Sequence, residues 1–274
     1  MSPIVKVSAA PMITQAEFHL IAPGAPVGVA HGFSTRRGGV STGVFSSNNM
    51  HDKKGDPPRN VLENRKRFLE SMGFDPARLY TVEQEHTVKL VDVDDLTPEE
   101  TLGIEADGLL SGEPGIALGV TTADCLPVLL AARNHRAVAA LHAGWRGLVA
   151  GIVARGVAAL CEKAGCVPAD VWGAVGPGIG LCCFEIGDEV VEAFLAAGFP
   201  ASGFGAGPSG RSHGDLQALA AWALADAGVG SVTTVPGCTH CEPGRFFSYR
   251  RDGWPTGLQL SVIGLRDRGP EARG

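Results

Sequence analysis

The sequence lacks a basic surplus, a long apolar run, an internal repeat and a low-complexity tract. Its 274 residues carry a net charge of −6, which argues against a nucleic-acid-binding protein because such proteins normally present a basic surface. No apolar run is long enough to cross a bilayer. The first residues, MSPIVKVSAAPMITQ, lack a basic segment followed by an apolar core, so we expect neither a signal peptide nor a membrane partner.

The cysteines lack the spacing of a disulfide framework. There are seven, an odd count without an export signal, which predicts reduced thiols and a cytoplasmic location. The segment CTHC, Cys238 to Cys241, has no second CxxC to accompany it, so we predict no metal site there and regard Cys238 as a candidate for lining a pocket. Adjacent cysteines seldom bridge, and Cys182 and Cys183 are therefore predicted to be buried thiols.

The composition is that of an ordinary globular protein, with 45% hydrophobic and 19% charged residues. The 38 glycines gather near unusual polar residues, which predicts a site built from loops because glycine permits positive φ and a close approach of the backbone to a ligand. Apolar spacing predicts several helices and strands. The helices are expected over 57–74, 147–166, 188–199 and 215–228. Strands are expected twice within 27–49, within 77–93, on both sides of a turn at Asn134-His135, and at 171–175, 231–237 and 245–253.

Strands and helices alternate irregularly, and neighbouring strands in the first half are joined by turns. This pattern favours an α/β fold with α+β character, in which mixed β-sheets are sandwiched with helices. We predict one domain over residues 1–274 with its core at about 20–266, and a mobile surface loop over 201–214.

Three residues with metal-ligand character stand at or near the ends of strand-like runs. They are His86 in VEQEHTVKL, Cys125 in TTADCLP and His142 in LHAGWRG. Two histidines and one cysteine form a known catalytic zinc set that leaves a fourth position open. The same residues suit a cysteine hydrolase or amidase in which His142 activates Cys125 and Asp124 or a second polar group orients the histidine. Both uses require a thiolate, so the sequence does not separate them.

Arginines in glycine-rich segments form a second set of candidates. Arg36 lies in STRRGGVS, Arg146 in HAGWRG and Arg250 in FFSYRRDG. A guanidinium group beside exposed backbone N–H groups suits phosphate or carboxylate.

The motifs GFSTRRGGVS, EQEH, EADGLL, TTADCLPVLL, LHAGWRG, GPGIGLCCFEIG and FFSYRRDG together resemble the YfiH family. This family is also called the laccase-domain or polyphenol-oxidase family, DUF152, or peptidoglycan editing factor. The resemblance runs from about Gly32 to Gly253 and implies a YfiH-like domain with zinc on His86, Cys125 and His142. It also implies a pocket role for Asn49, although SSNNMHDKKGDPP departs from the usual pattern around that residue.

The resemblance further implies a purine nucleoside phosphorylase that acts on adenosine, inosine, guanosine or methylthioadenosine, with phosphate as the second substrate, and that also deaminates adenosine. Arg36, Arg146 and Arg250 are then candidates for phosphate, while Asp124 and Glu185 are candidates for moving a proton. A strand would turn Asp124 away from Cys125. Copper-dependent polyphenol oxidation and a non-enzymatic binding role for a nucleotide-like or cell-wall precursor remain as alternatives.

Overall fold

The computed structural model describes residues 18–51, 55–207 and 210–267, which form thirteen strands and seven helices. The strands are β1 (His19–Leu20), β2 (Val29–Ser34), β3 (Leu79–Tyr80), β4 (Leu90–Asp92), β5 (Gly108–Ser111), β6 (Ala117–Thr122), β7 (Leu126–Ala132), β8 (Val138–Ala143), β9 (Val171–Val175), β10 (Phe204–Ala206), β11 (Ser212–Gly214), β12 (Ser231–Thr234) and β13 (Gln259–Leu265). The helices are α1 (Pro58–Met72), α2 (Pro98–Thr101), α3 (Trp145–Val149), α4 (Ile152–Ala164), α5 (Asp188–Ala196), α6 (Leu216–Asp226) and α7 (Tyr249–Asp252).

Two mixed sheets dominate the fold. The first has the order β1-β2-β13-β6-β3 and the second the order β12-β9-β7-β8-β5-β4, while β10 and β11 form a separate antiparallel pair. Each large sheet is antiparallel except at its edges. In the first sheet the edge strand β3 pairs in parallel, and in the second sheet both edge strands, β4 and β12, do so. The predicted class of mixed sheets sandwiched with helices is confirmed.

The sheets pack face to face and helices cover their outer faces. Strand β7 is buried at all seven positions, and its alternating side chains serve two cores. Leu129 packs between the sheets, whereas Val128 and Leu130 face the core that contains residues of α4, α5 and α6. On the far side, Phe68 and other apolar residues of α1 pack against the first sheet. The run LPVLLAA is continuously apolar because both of its faces are covered.

The predicted helices form, with one division. Helix α1 ends at Gly73, which adopts a left-handed conformation, and α5 and α6 lie within their predicted ranges. The helix predicted over 147–166 is instead two helices, α3 and α4, which are separated at Gly151 with φ of +86°. A positive φ cannot continue a right-handed helix.

Three local predictions are wrong. No second strand forms within 27–49, where Gly43–Phe45 is a 3₁₀ turn. The segment 245–253 contains α7 rather than a strand, because Ser248 accepts a hydrogen bond from the Arg251 N–H and so begins a helix. The range 201–214, predicted to be a loop, instead contains the β10–β11 pair, which buries His213.

None of the helices in the described part of the chain is both long enough and apolar enough to span a bilayer.

Candidate active site

Cys125 lies where the chain passes from one sheet to the other. Strand β6 of the first sheet ends at Thr122, and β7 of the second begins at Leu126. The two residues before Cys125 make a tight connection in which Asp124 has φ of +104°. Such a φ is strained for a residue with a side chain, so hydrogen bonds must hold it. The connection places the Cys125 thiol at the junction of the sheets.

His142 reaches the same junction from β8. It stands opposite Pro127 in the β7–β8 ladder, where the next pair, Leu126 with Ala143, is the last before Cys125 and Gly144. A Cβ on Gly144 would lie 3.0 Å from the Cys125 Sγ and 2.8 Å from a ring carbon of His86. Glycine at this position therefore lets the side chains of His86 and Cys125 approach each other.

Asp107, which precedes β5, holds both histidines. Its Oδ1 accepts a hydrogen bond from His142 Nδ1 at 2.6 Å and from the backbone N–H of His86 at 3.1 Å. Its Oδ2 accepts from the N–H and the hydroxyl of Thr87 at 2.6 and 3.0 Å. These bonds fix a loop in which His86 has φ of +58°. Asp107 was not assigned a role from the sequence, although it lies within the EADGLL motif.

The predicted trio comes together. The ligand atoms of His86, Cys125 and His142 all lie within 4.8 Å of one another, with Cys125 Sγ 3.6 Å from His86 Nε2. Because Asp107 occupies His142 Nδ1, the Nε2 atom is left for a metal, and a carboxylate behind a histidine ligand is the usual support in metal sites. Two imidazoles and a thiolate, with no fourth protein ligand among the residues that the structure describes, fit a zinc ion that keeps one position open.

The charges within the trio favour a thiolate. Burial opposes ionisation of Cys125, but the neighbouring His142 and the hydrogen bonds from both histidines outweigh it and lower the pKa of the thiol to about 6. Burial likewise opposes the charge on His142, yet Cys125 and Asp107 raise its pKa to about 9. Hydrogen bonds from His142 and Thr87 keep the pKa of Asp107 below its usual value despite burial. These opposite shifts in pKa favour a thiolate at Cys125 beside an imidazolium at His142.

The trio opens into a cavity of about 830 Å³, a size that accommodates a small organic ligand. Trp145, Arg146, Tyr249, Arg250 and Trp254 line it together with the trio. Arg146 stacks on Trp145 at 4.4 Å from the ring centroid. Arg250 donates from Nη1 to the Glu185 carbonyl at 3.0 Å. Both arginines therefore bring positive charge to the cavity wall.

Asp124 is held by hydrogen bonds to the chain itself. Its Oδ1 accepts from the Thr239 hydroxyl and its Oδ2 from the Arg250 N–H, both at 2.6 Å. Glu185 pairs with Arg211 at 2.6 Å and is not among the cavity-lining residues. Asp124 and Glu83 are the two carboxylates on the cavity wall in the described part of the chain. Sequence reasoning missed Glu83, although it lies three residues before His86.

Arg36 and Asn49 are not brought to the cavity. Arg36 donates to the carbonyl groups of Ser46 and Pro243, each at 2.9 Å. The amide of Asn49 is buried and bonds to the backbone of His51 and Leu258. Both of those neighbours line the cavity, so Asn49 supports its wall from behind.

All seven cysteines are free thiols, and four of them form a second cluster. Cys182, Cys183, Cys238 and Cys241 place their sulfurs within 4.8 Å of one another. CTHC has no second CxxC, but the adjacent pair Cys182 and Cys183 supplies two sulfurs from elsewhere in the chain. Cys182 is exposed and Cys183 half-buried, so the prediction of buried thiols is wrong. Cys238 is not among the residues that line the cavity.

In zinc-free protein, we expect iodoacetamide to alkylate Cys125 with a rate that rises through pH 6 and levels off by pH 7. The lowered pKa means that the reactive thiolate is already the major form above about pH 6. Cys182 is an internal control, because burial and hydrogen bonds to Cys241 and Cys238 raise its pKa to about 11, and its rate should still increase at pH 8. Peptide mapping of each thiol measures both profiles. A midpoint above pH 8 for Cys125 would contradict the thiolate assignment.

Comparisons with known proteins identify the family of this chain. Residues 30–266 match the family described as multi-copper polyphenol oxidoreductase laccase. The purine nucleoside phosphorylase YfiH of Shigella flexneri is 42% identical over 240 residues, covering 88% of this chain and 95% of that protein. The adenosine deaminase RL5 of an unknown prokaryotic organism is 36% identical over 242 residues, covering 84% and 92%.

A solved structure has the same fold. The Neisseria meningitidis protein NMB0706, a DUF152 protein, superposes with a TM-score of 0.81 at 37% identity, covering 91% of this chain and all of that one. The chain therefore belongs to the multi-copper polyphenol oxidoreductase laccase family, which includes proteins named YfiH and DUF152.

Proposed function

We propose that this protein is a zinc-dependent purine nucleoside phosphorylase whose metal ligands are His86, Cys125 and His142. The observation that carries the proposal is the convergence of these three ligands at the floor of a nucleoside-sized cavity with arginines on its wall. The relatives named purine nucleoside phosphorylase support the reaction class. Adenosine, inosine, guanosine and methylthioadenosine are the proposed nucleosides.

Zinc fits the donor set better than a multi-copper centre does. Cys125 supplies a thiolate and the two histidines supply imidazoles, which is a borderline-soft set suited to zinc. Among the described residues, the trio is the one candidate metal group that contains histidine, whereas coupled oxidation by dioxygen usually needs several copper ions. Copper at the trio remains the alternative metal. A bound zinc ion would act as a Lewis acid toward the substrate.

The protein's own residues suit phosphate and a nucleoside. Arg146 and Arg250 offer guanidinium groups that can bind phosphate oxygens in pairs. Tyr249 and Trp254 line the cavity and are more than half exposed, so their rings can stack on a purine. One face of Trp145 is already covered by Arg146, and we assign Trp145 to packing. Phosphate would attack C1′ of the ribose as the bond to the purine breaks.

We propose deamination as a second activity of the same cavity, because one relative is named adenosine deaminase. Zinc deaminases use a carboxylate that is not a metal ligand to move protons. Glu83 and Asp124 both line the cavity, and Glu83, three residues before His86, is our candidate for that carboxylate. Of the two candidates from the sequence, we assign Asp124 to holding Thr239 and Arg250 in place, and Glu185 is not among the cavity-lining residues.

The test follows adenosine by chromatography with and without inorganic phosphate. We expect adenine that appears only with phosphate, and inosine that appears in either case. Hydrolysis of amides by a zinc-free protein, with adenosine unchanged, would favour the cysteine hydrolase instead. Binding of a nucleoside without turnover, together with an unaffected biological role in His142→Ala, would favour the non-enzymatic alternative.

Replacing Arg146 or Arg250 with alanine should raise KM for phosphate about 10-fold or more, because each change removes a charged donor from the cavity wall. Steady-state kinetics at varied phosphate measures the effect. Arg211→Ala is the matched control, since Arg211 pairs with Glu185 and is not among the cavity-lining residues, and its KM for phosphate should be unchanged. If all three variants had the wild-type KM for phosphate, Arg146 and Arg250 would not be phosphate-binding residues.

A further inference from the structure

Four cysteines from two distant segments of the chain meet outside the cavity. Cys182 and Cys183 follow the loop after β9, and Cys238 and Cys241 lie in the CTHC segment after β12. The Sγ of Cys241 lies 3.2 Å from that of Cys183 and 3.4 Å from that of Cys182, which in turn lies 3.6 Å from that of Cys238. Each residue offers one sulfur, and all four sulfurs lie within 4.8 Å of one another.

These distances suit one small ion. Four thiolates about 2.3 Å from a tetrahedral zinc ion stand about 3.8 Å apart, close to the separations in this cluster. An iron–sulfur cluster would need its ligand sulfurs farther apart, because several iron atoms lie between them. Cys182 and Cys241 are exposed, so an ion can reach the sulfurs from solvent.

The surrounding backbone is arranged to support thiolate ligands. The N–H of Gly180 donates to the Sγ of Cys238 at 3.3 Å, and such bonds orient ligand sulfurs in metal sites. Gly178 forms a β-bridge with Cys238 and accepts a hydrogen bond from the N–H of Thr239 at 3.0 Å. A Cβ on Gly180 would lie 3.2 Å from the Cβ of Cys238. The two segments therefore already run side by side.

We infer that Cys182, Cys183, Cys238 and Cys241 bind one structural zinc ion, separate from the ion proposed at His86, Cys125 and His142. Four protein ligands leave no open position, which is the mark of a structural rather than a catalytic zinc site. The sequence spacing is CC in one segment and CxxC in the other, so neither segment holds the ion alone.

The four-cysteine cluster adjoins the cavity wall, so a zinc ion bound there would also affect the cavity. Thr239, between two of the ligands, donates its hydroxyl to Asp124, the residue before Cys125. Ile179 and Phe184, which flank the Cys182–Cys183 pair, line the cavity. A zinc ion that joins the two segments would hold Asp124 and this part of the wall in place.

The first test is zinc content per chain, measured by mass spectrometry of the purified full-length protein. We expect about two zinc ions in the wild type and about one in Cys182→Ser/Cys241→Ser. His86→Ala/Cys125→Ala should also keep about one, and the variant with all four changes should keep almost none. Cys161→Ser/Cys166→Ser is the matched control, because it removes two thiols outside both clusters and should keep the wild-type content.

A second measurement does not depend on altering the four cysteines. Cobalt added to metal-free His86→Ala/Cys125→Ala should bind at about one ion per chain and give the visible absorption of tetrahedral cobalt with thiolate ligands. Chelation should lower the Tm of this variant, and zinc should restore it.

The outcomes separate this site from the proposed active site. Loss of all zinc from His86→Ala/Cys125→Ala, with no cobalt spectrum, would overturn the four-cysteine site and leave the phosphorylase proposal intact. If the wild type holds about one zinc, and Cys182→Ser/Cys241→Ser loses it while His86→Ala/Cys125→Ala keeps it, the result would confirm this site and contradict zinc at the trio. A disulfide among the four cysteines in freshly purified protein would also overturn the inference.

Discussion

Cys125→Ala should reduce the rate of phosphate-dependent adenine release by about 10³-fold or more. The change removes the only anionic ligand of the trio and with it the zinc, whose Lewis acidity is worth several kcal/mol in the transition state. At about 1.4 kcal/mol for each tenfold change, about 4 kcal/mol corresponds to this loss. The measurement is kcat/KM for adenosine at saturating phosphate, with zinc content determined on the same sample.

A metal-ligand role and a nucleophile role for Cys125 both predict inactivity of Cys125→Ala, and Cys125→Asp separates them. Aspartate is an anionic zinc ligand, so this variant should keep part of its zinc and measurable activity. A carboxylate cannot replace a thiol that forms a covalent intermediate with an amide substrate. Cys161→Ala, a half-buried cysteine of α4, should retain wild-type activity. Full zinc content and activity in Cys125→Ala would contradict the proposed centre.

Asp107→Asn should weaken zinc binding by about 10- to 100-fold, the usual cost of losing the carboxylate behind a histidine ligand. The carboxylate accepts hydrogen bonds from His142 and from the backbone of His86 and Thr87. The amide nitrogen of asparagine would face these donors, which releases the histidine ring and the loop together. Competition with a zinc-binding dye measures the affinity, and kcat/KM should fall with it.

Asp94→Asn is the control for Asp107→Asn. Asp94 lies beside the other end of β5, where it accepts hydrogen bonds from Ser111 and Gly112 and pairs with Lys163. Its replacement should lower stability without changing zinc affinity, because none of its partners is a proposed ligand. Equal zinc affinities in Asp107→Asn and Asp94→Asn would show that Asp107 acts only on the fold.

Cys125 and His142 could be singled out from the sequence because each interrupts or ends an apolar run, whereas His86 lies in a loop between β3 and β4 and was marked by its EQEH motif. A polar residue at the end of a buried strand lies at the edge of the sheet, where the side chains of neighbouring strand ends are close to one another. Asp107 precedes a strand in the same way, but its importance depends on the pairing of β5 with β8. Register between distant strands cannot be read from spacing alone. The helices were predictable for a simpler reason, since their periodicity is local.

The four-cysteine cluster shows where the sequence was insufficient. The spacing within CTHC was visible, but its partners lie more than fifty residues earlier in the chain, and the segments meet through contacts of Gly178 and Gly180 with Cys238 and Thr239. Arg36 and Asn49 show the converse. Their motifs were recognisable, yet the structure uses their polar groups to hold backbone carbonyls and amides. A motif predicts which segments lie near a site, but whether a given side chain points into the site depends on the fold.

Phosphorus NMR of adenosine mixed with phosphate and the purified protein is the sharpest test of zinc-dependent phosphorolysis. We expect a phosphomonoester resonance that grows in step with adenine release, does not form with zinc-free protein and forms again when zinc is restored. Adenine release without a phosphomonoester, or a reaction that persists unchanged in zinc-free protein, would contradict zinc-dependent phosphorolysis.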